Sequence, residues 1–107
     1  MSATTLRIRL RAYPNPDMGQ YGRMGIPARW VKVASLAEAS RVFRAWVAQY
    51  ELGGGNCGRD TGEVRRAPDE VVARVSFNGR VWSPEPYPQC REMSDADLPP
   101  PRAEVTL

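Results

Sequence analysis

Cys57 stands in a glycine-rich run two residues from Arg59, a setting in which a nearby cation favours the reactive thiolate. It is the best nucleophile candidate in the chain, yet the sequence holds no histidine to serve as its base. The same absence removes Ser-His-Asp catalysis, the usual neutral-pH proton shuttle and nearly every mixed Cys/His zinc site. Asp60, Glu63, Asp69 and Glu70 stand beside arginines or in turns, without a recognisable acid/base pair. Cys57 and Cys90 are the only cysteines, so a disulfide framework is excluded and the thiols are expected to be reduced. No catalytic residue, metal or cofactor is expected.

The chemistry that remains is binding. Residues 4–13 alternate strictly, with Leu6, Ile8, Leu10 and Ala12 on one side and Arg7, Arg9 and Arg11 on the other. That is the pattern of a strand buried on one face, with same-face neighbours about 6.6 Å apart. Three guanidinium groups in a row suit successive phosphates or carboxylates, and they are expected to stand free to engage another macromolecule. A charged row also keeps a sheet face or edge in water, so the ladder has a purely structural reading too. Tyr13 to Pro27 is a long connection broken by prolines and glycines, carrying Tyr13, Met18, Tyr21, Arg23 and Met24. Aromatic, methionine and arginine side chains are enriched where protein surfaces meet. The alternative is an insertion whose apolar residues tuck against the sheet.

Residues 28–34 read as a short strand with Trp30 and Lys32 on one side. Ser35-Leu-Ala-Glu38 is a capping box, and Leu36, Ala39, Val42, Phe43, Trp46, Val47 and Tyr50 then recur at helical spacing. Gly53 is the expected left-handed cap. Arg41 and Arg44 lie on the outer face of this helix and join the candidate contact residues. The run from Gly53 to Gly62 follows a helix and precedes a strand, the reverse of a phosphate loop, and reads better as a flexible connector.

Glu63 to Trp82 reads as a three-strand meander. A turn at Ala67-Pro68-Asp69-Glu70 places Val64 beside Ala73 and Glu63 beside Arg74. Asn78-Gly79 is a hairpin signal that, as a two-residue turn, places Val75 opposite Trp82 and Ser76 opposite Val81. Val71, Ala73, Val75, Phe77 and Trp82 would then pack under the helix, with Arg80 at the margin of the same face. Residues 1–83 make one domain. Residues 84–107, proline-rich and acidic, are expected to be extended or disordered, with their negative charge able to fold back over the basic front half.

The chain has 107 residues and a net charge of +3, unevenly spread. Residues 1–50 hold eight basic side chains against Asp17 and Glu38, a balance of +6, whereas five acids face Arg91 and Arg102 from residue 85 onward. Fourteen of the fifteen basic residues are arginine, and Lys32 is the exception. A basic front half favours acidic partners. No stretch approaches the ~20 apolar residues of a membrane span, and no charged-then-apolar leader is seen. The expected setting is the cytoplasm of a bacterial host.

Val33-Ala-Ser-Leu-Ala-Glu-Ala-Ser40 and Ala73-Arg-Val-Ser-Phe-Asn-Gly-Arg-Val-Trp82 give the chain a resemblance. Over about residues 30–82 it is similar to small, mostly uncharacterised proteins of prophages, phages and genomic islands of proteobacteria. The resemblance implies a mobile-element setting, in which small non-enzymatic proteins inhibit host defence, anti-CRISPR proteins among them, or assist DNA maintenance. Neither the arginine strand nor the acidic tail is covered by it.

Taken together, these readings predict an α+β domain: an antiparallel sheet of four or five strands with one amphipathic helix across one face. The expected function is a non-enzymatic inhibitor or adaptor acting on a protein partner, a nucleic-acid-handling complex. Direct DNA or RNA binding through the arginine strand and the aromatic loop is the alternative. The candidate contact residues are Arg7, Arg9, Arg11, Tyr13, Tyr21, Arg23, Arg41 and Arg44.

Overall fold

Period-two alternation carries Leu6–Leu10 into strand β1, with Leu6, Ile8 and Leu10 buried and Arg7 and Arg9 facing the other way. The structure, a computed structural model, describes residues 5–22, 25–58 and 60–98. Among the described residues the other strands are β2 (Arg29–Val33), β3 (Glu63–Arg66), β4 (Glu70–Val75) and β5 (Val81–Trp82), and one α-helix, α1 (Leu36–Gln49), joins β2 to β3. All strand pairs are antiparallel and the sheet order is β2-β1-β3-β4-β5. This is the expected α+β fold, with five strands and the helix on one face.

The core lies between α1 and that face. Ala39, Phe43 and Trp46 from the helix meet Leu6, Ile8 and Leu10 of β1, Val64 of β3, and Val72, Ala73 and Val75 of β4. Fully burying a side chain such as Leu6, Ile8 or Phe43 contributes about 1.5–3 kcal/mol. Ser35 caps α1 as expected, its Oγ accepting from the Glu38 amide at 3.0 Å, while the Glu38 carboxylate accepts from the Ala34 amide.

Three local expectations are corrected. Gly53 is not the left-handed residue: its backbone is extended, and Glu51 takes φ 50° instead. The Glu51 amide donates to Ala48 O at 3.3 Å and the Leu52 amide to Val47 O at 2.9 Å, a Schellman motif. Closing there rather than two residues later buries Leu52 against the core.

The second correction is a register shift of one residue. Pairing across the first turn is as expected at Glu63↔Arg74 and Val64↔Ala73, with a bulge between Val64 and Arg65. Across the second turn the observed pairs are Arg74↔Trp82 and Val75↔Val81. Ser76 and Arg80 close a three-residue loop, the Ser76 amide donating to Arg80 O at 2.9 Å, and Gly79 alone takes a positive φ of 87°. A two-residue turn of the expected type needs positive φ at Asn78 as well. The longer loop carries Trp82 away from the helix to the arginine side, beside Ser76, whose Oγ accepts from Trp82 Nε1 at 3.1 Å. Phe77 is exposed in the loop, and Arg80 leaves the core face. The bulge likewise sets Val71 opposite Arg65, half-buried, and puts Val72 in the core.

Third, the segment after residue 84 does not run free from the domain edge. Its backbone is irregular but docks as far as Leu98. The Ser83 amide donates to Arg91 O, and the Met93 amide to Val81 O. The short 3-10 turn Asp95–Asp97 lies against the N-terminus of α1, where Asp95 accepts from the amides of Leu36 and Ala37. Residues 99–107 lie outside the described residues.

Candidate binding face

The sheet face turned away from α1 is where the arginine row lies. Along β1 it holds Arg7 and Arg9; β2 sets Lys32 opposite Arg7 and Trp30 opposite Arg9; β3 sets Arg65 opposite Arg7 on the other side. Three guanidinium groups converge on one ring as a result. The Trp30 centroid lies 5.0 Å from Arg7 Cζ, 5.2 Å from Arg9 Cζ and 5.2 Å from Arg65 Cζ. Each is within the range of cation–π attraction, about 0.5–1 kcal/mol at an exposed site. Trp30 remains 36% exposed, so the ring stays partly open to a partner.

The guanidinium groups are not free of internal partners, contrary to the expectation from the strand pattern. Asp69 accepts from Arg7 at 3.1 Å and from Arg65 at 2.6 Å, and Glu63 accepts from Arg65 at 2.6 Å. Asp60 lies between Arg9 at 3.7 Å and Arg11 at 3.6 Å. Asp69 arrives from the β3–β4 turn, Glu63 from the start of β3 and Asp60 from the connector ahead of it, elements that the alternation of β1 does not reveal. Four arginines thus share three acids. Lys32 and Arg74 on the same face add to the cationic excess.

At one end of the row Arg11 lies over the Tyr13 ring, 5.0 Å from its centroid, and the Tyr13 hydroxyl donates to Asp60. Burial alone would raise the Asp60 pKa, but the Tyr13 hydrogen bond, its own backbone amide, Arg11 and Arg9 outweigh it and hold the carboxyl below its ordinary value. The hydrogen bond to Asp60, then burial, raise the Tyr13 phenol. Hydrogen bonds to Asp69 and Glu63 raise Arg65 further. Asp60 and Arg65 are thereby held in their charged forms at neutral pH, and the Tyr13 phenol in its neutral form. Beside it, Asp60, Glu63, Arg74 and Pro86 line a cleft of about 430 Å³. The Arg74 Nε at its wall is buried and has no hydrogen-bond partner among the described residues.

The glycine-rich connector is what positions Tyr13 and Asp60. Asn56 is fully buried: its Nδ2 donates to Tyr13 O and to Gln20 Oε1, both at 2.7 Å, and its Oδ1 accepts from the Gly53 amide at 2.8 Å. Thr61 Oγ1 donates to Arg11 O at 2.6 Å and accepts from the Gly58 amide at 2.9 Å. A Cβ on Gly58 would lie 2.3 Å from Tyr13 Cε2, so the ring packs where only glycine leaves room. A connector read as flexible is instead pinned by its two buried polar side chains. Cys57 bridges Ala12, and burial pushes its thiol up, away from the thiolate a nucleophile needs.

Of the expected contact residues, Arg7, Arg9, Arg11 and Tyr13 come together. Tyr21 is 76% exposed in the connection between β1 and β2, and Arg23 lies outside the described residues. Arg41 and Arg44 are exposed on α1, in the layer that covers the opposite face, so they do not extend this surface. Trp30, Arg65 and the three acids were not among the expected residues. Their sequence signals were Trp30 and Lys32 sharing one side of a strand, and Asp60, Glu63 and Asp69 standing beside arginines or in a turn. Among the described residues, no three Cys, Asp or Glu side chains converge as metal ligands, and no helix is long and apolar enough to cross a membrane. Comparison with protein-family models, curated proteins and solved structures finds no match.

Proposed function

We propose that this chain is a non-catalytic binding protein whose arginine–tryptophan face docks on a partner protein, as an inhibitor or adaptor of a nucleic-acid-handling host complex. The observation that carries the reading is the stacking of Arg7, Arg9 and Arg65 around the partly open Trp30 ring. Tryptophan and arginine dominate binding energy at protein interfaces, and side chains already held in place lose little freedom on docking. The interleaved carboxylates favour a protein partner, because Asp60, Glu63 and Asp69 would oppose a run of phosphates. The mobile-element, anti-defence setting rests on the resemblance of residues 30–82.

The cationic excess favours a second reading, a nucleic-acid-binding accessory protein with a base stacked on Trp30 or Tyr13. The two separate in one experiment. Wild type and an Arg7→Ala/Arg9→Ala/Trp30→Ala variant are used to capture partners from a bacterial host expressing defence systems. Each protein is also titrated with single- and double-stranded DNA and RNA at two salt concentrations. A protein captured by the wild type and lost with the folded variant supports the first reading. Tight, salt-sensitive binding of purified protein to nucleic acid supports the second. Identical capture by both proteins, with no nucleic-acid binding, removes this face from function.

A further inference from the structure

Arg7, Arg9, Arg65 and Arg74 are the strand arginines on the sheet face turned away from α1, and Arg74 is the one that no acid answers. Each of the others has a carboxylate partner, whereas the Arg74 side chain makes no hydrogen bond or ion pair among the described residues. The sheet sets its neighbours: on β4 it pairs with Glu63 of β3 on one side and with Trp82 of β5 on the other. Glu63 is engaged by Arg65 at 2.6 Å. Glu92, bridged to Trp82 at the sheet margin, makes no ion pair with Arg74 either.

This unmatched cation stands in the cleft of about 430 Å³ that it lines with Asp60, Glu63 and Pro86. Its Nε is buried; its terminal nitrogens, equally without partners, are not. A buried donor with no acceptor is held at a cost that an incoming acceptor removes. The Pro86 wall is pinned in place. The Ser83 amide donates to Arg91 O and the Arg91 amide to Ser83 Oγ, both at 2.8 Å, while the Gln89 amide closes on Pro86 O at 2.9 Å. A wall of this kind shields a bound group from bulk water, in which a charge-assisted bond is weakest.

We propose that this cleft is a carboxylate-binding site that takes one aspartate or glutamate side chain of the partner protein on Arg74, an assignment that rests on the reading of this face as a protein-docking surface. The planar guanidinium fork matches a carboxylate through two parallel N–H···O bonds. The two acids that line the cleft are already balanced, Glu63 by Arg65 and Asp60 by Arg9 and Arg11. One incoming carboxylate therefore meets the one strand arginine left unmatched. A nucleic-acid strand would bring further phosphates against Asp60 and Glu63. A carboxamide would leave the charge of Arg74 uncompensated.

The test follows the Arg74 Nε–H signal of the full chain by NMR during titration with three probes: a capped glycine-glutamate-glycine peptide, its glutamine counterpart and inorganic phosphate. The glutamate peptide is expected to shift that signal saturably, and the glutamine peptide to leave it in place. Arg74→Lys keeps the charge and loses the fork, so it should weaken glutamate-peptide binding roughly tenfold, read from the backbone amides of Glu63 and Trp82. If that variant does not fold, the wild-type titrations still decide. No saturable shift with the glutamate peptide overturns the proposal, as does an equal response to the glutamine peptide or a tighter one to phosphate. Failure of the wider reading looks different. Partner capture indifferent to the Arg7→Ala/Arg9→Ala/Trp30→Ala changes removes the face from protein docking, whereas a glutamate-peptide shift at Arg74 still upholds the carboxylate site.

Discussion

The carboxylate of Asp95 accepts hydrogen bonds from the backbone amides of Leu36, at 2.6 Å, and Ala37, at 3.2 Å, across a separation of 59 residues to Leu36. These are amides that the turn-by-turn bonding of α1 leaves without partners, and a negative charge is favoured at that end of a helix. Ser35 serves the Glu38 amide, so the two caps divide the first turn between them. Asp95→Ala should lower unfolding free energy by about 1–2 kcal/mol, and Asp95→Asn by less, because a neutral amide oxygen still accepts. Urea denaturation measures both. Unchanged stability in Asp95→Ala would mean that this segment does not dock in solution.

From a fully buried position Asn56 holds the connector to the β1–β2 connection with two hydrogen bonds, to Tyr13 O and Gln20 Oε1, and accepts a third from the Gly53 amide within the connector. Replacing it with alanine strands Tyr13 O and the Gly53 amide. The expected loss is about 2–3 kcal/mol, with faster exchange of the Gly53 and Tyr13 amides. A loss no larger than that of an exposed alanine substitution would show the staple to be unimportant.

Glu51 takes the left-handed position of the helix-ending motif with φ 50°. The steric cost of that conformation for a residue with a Cβ is about 1–2 kcal/mol, partly offset by the greater unfolded-state freedom of glycine. Glu51→Gly should therefore stabilise the domain by about 0.5–1 kcal/mol, raising the midpoint of thermal unfolding without altering the helical circular-dichroism signal. Destabilisation would argue against the Schellman geometry.

Asp60 has a folded pKa below its unfolded value, the net result of burial being outweighed by Tyr13, the backbone amide, Arg11 and Arg9. A depressed carboxyl contributes stability that is fully present above the unfolded value of about 3.9 and is lost as pH falls through the folded one. The stability difference between wild type and Asp60→Asn should hence be constant from pH 7 to about 5 and shrink below about 4. Tyr13, raised by its bond to Asp60, works in the other direction. Its contribution is present below about 10 and fades as pH rises further, so Tyr13→Phe should flatten the alkaline loss. Denaturation midpoints across pH read both, and a difference independent of pH would remove the Tyr13–Asp60 contact from the native state.

Most of the scaffold could be read residue by residue. Ser35 starts the helix where expected because cap chemistry acts within one turn. Glu63 meets Arg74 and Val64 meets Ala73 although the turn pairs Arg66 with Glu70, because the bulge between Val64 and Arg65 restores the register. The Asn78-Gly79 hairpin differs from the two-residue-turn register by one residue. Whether Asn78 adopts positive φ depends on what the resulting register buries, and the longer loop places Val81 beside Val75 on the core side. Gly53 failed as a cap for a similar reason: burying Leu52 decided where the helix closes.

The candidate face divides along the same line. The row of Arg7, Arg9 and Arg11 follows from strand geometry, since side chains two residues apart share a side whatever the rest of the molecule does. That Trp30 receives three guanidinium groups, and that Asp60, Glu63 and Asp69 balance them, depends on strand order, a bulge at Val64/Arg65 and two buried polar staples. Those are outcomes of packing the whole domain, because neighbours across a sheet are chosen by total burial and hydrogen bonding and not by any local run of residues.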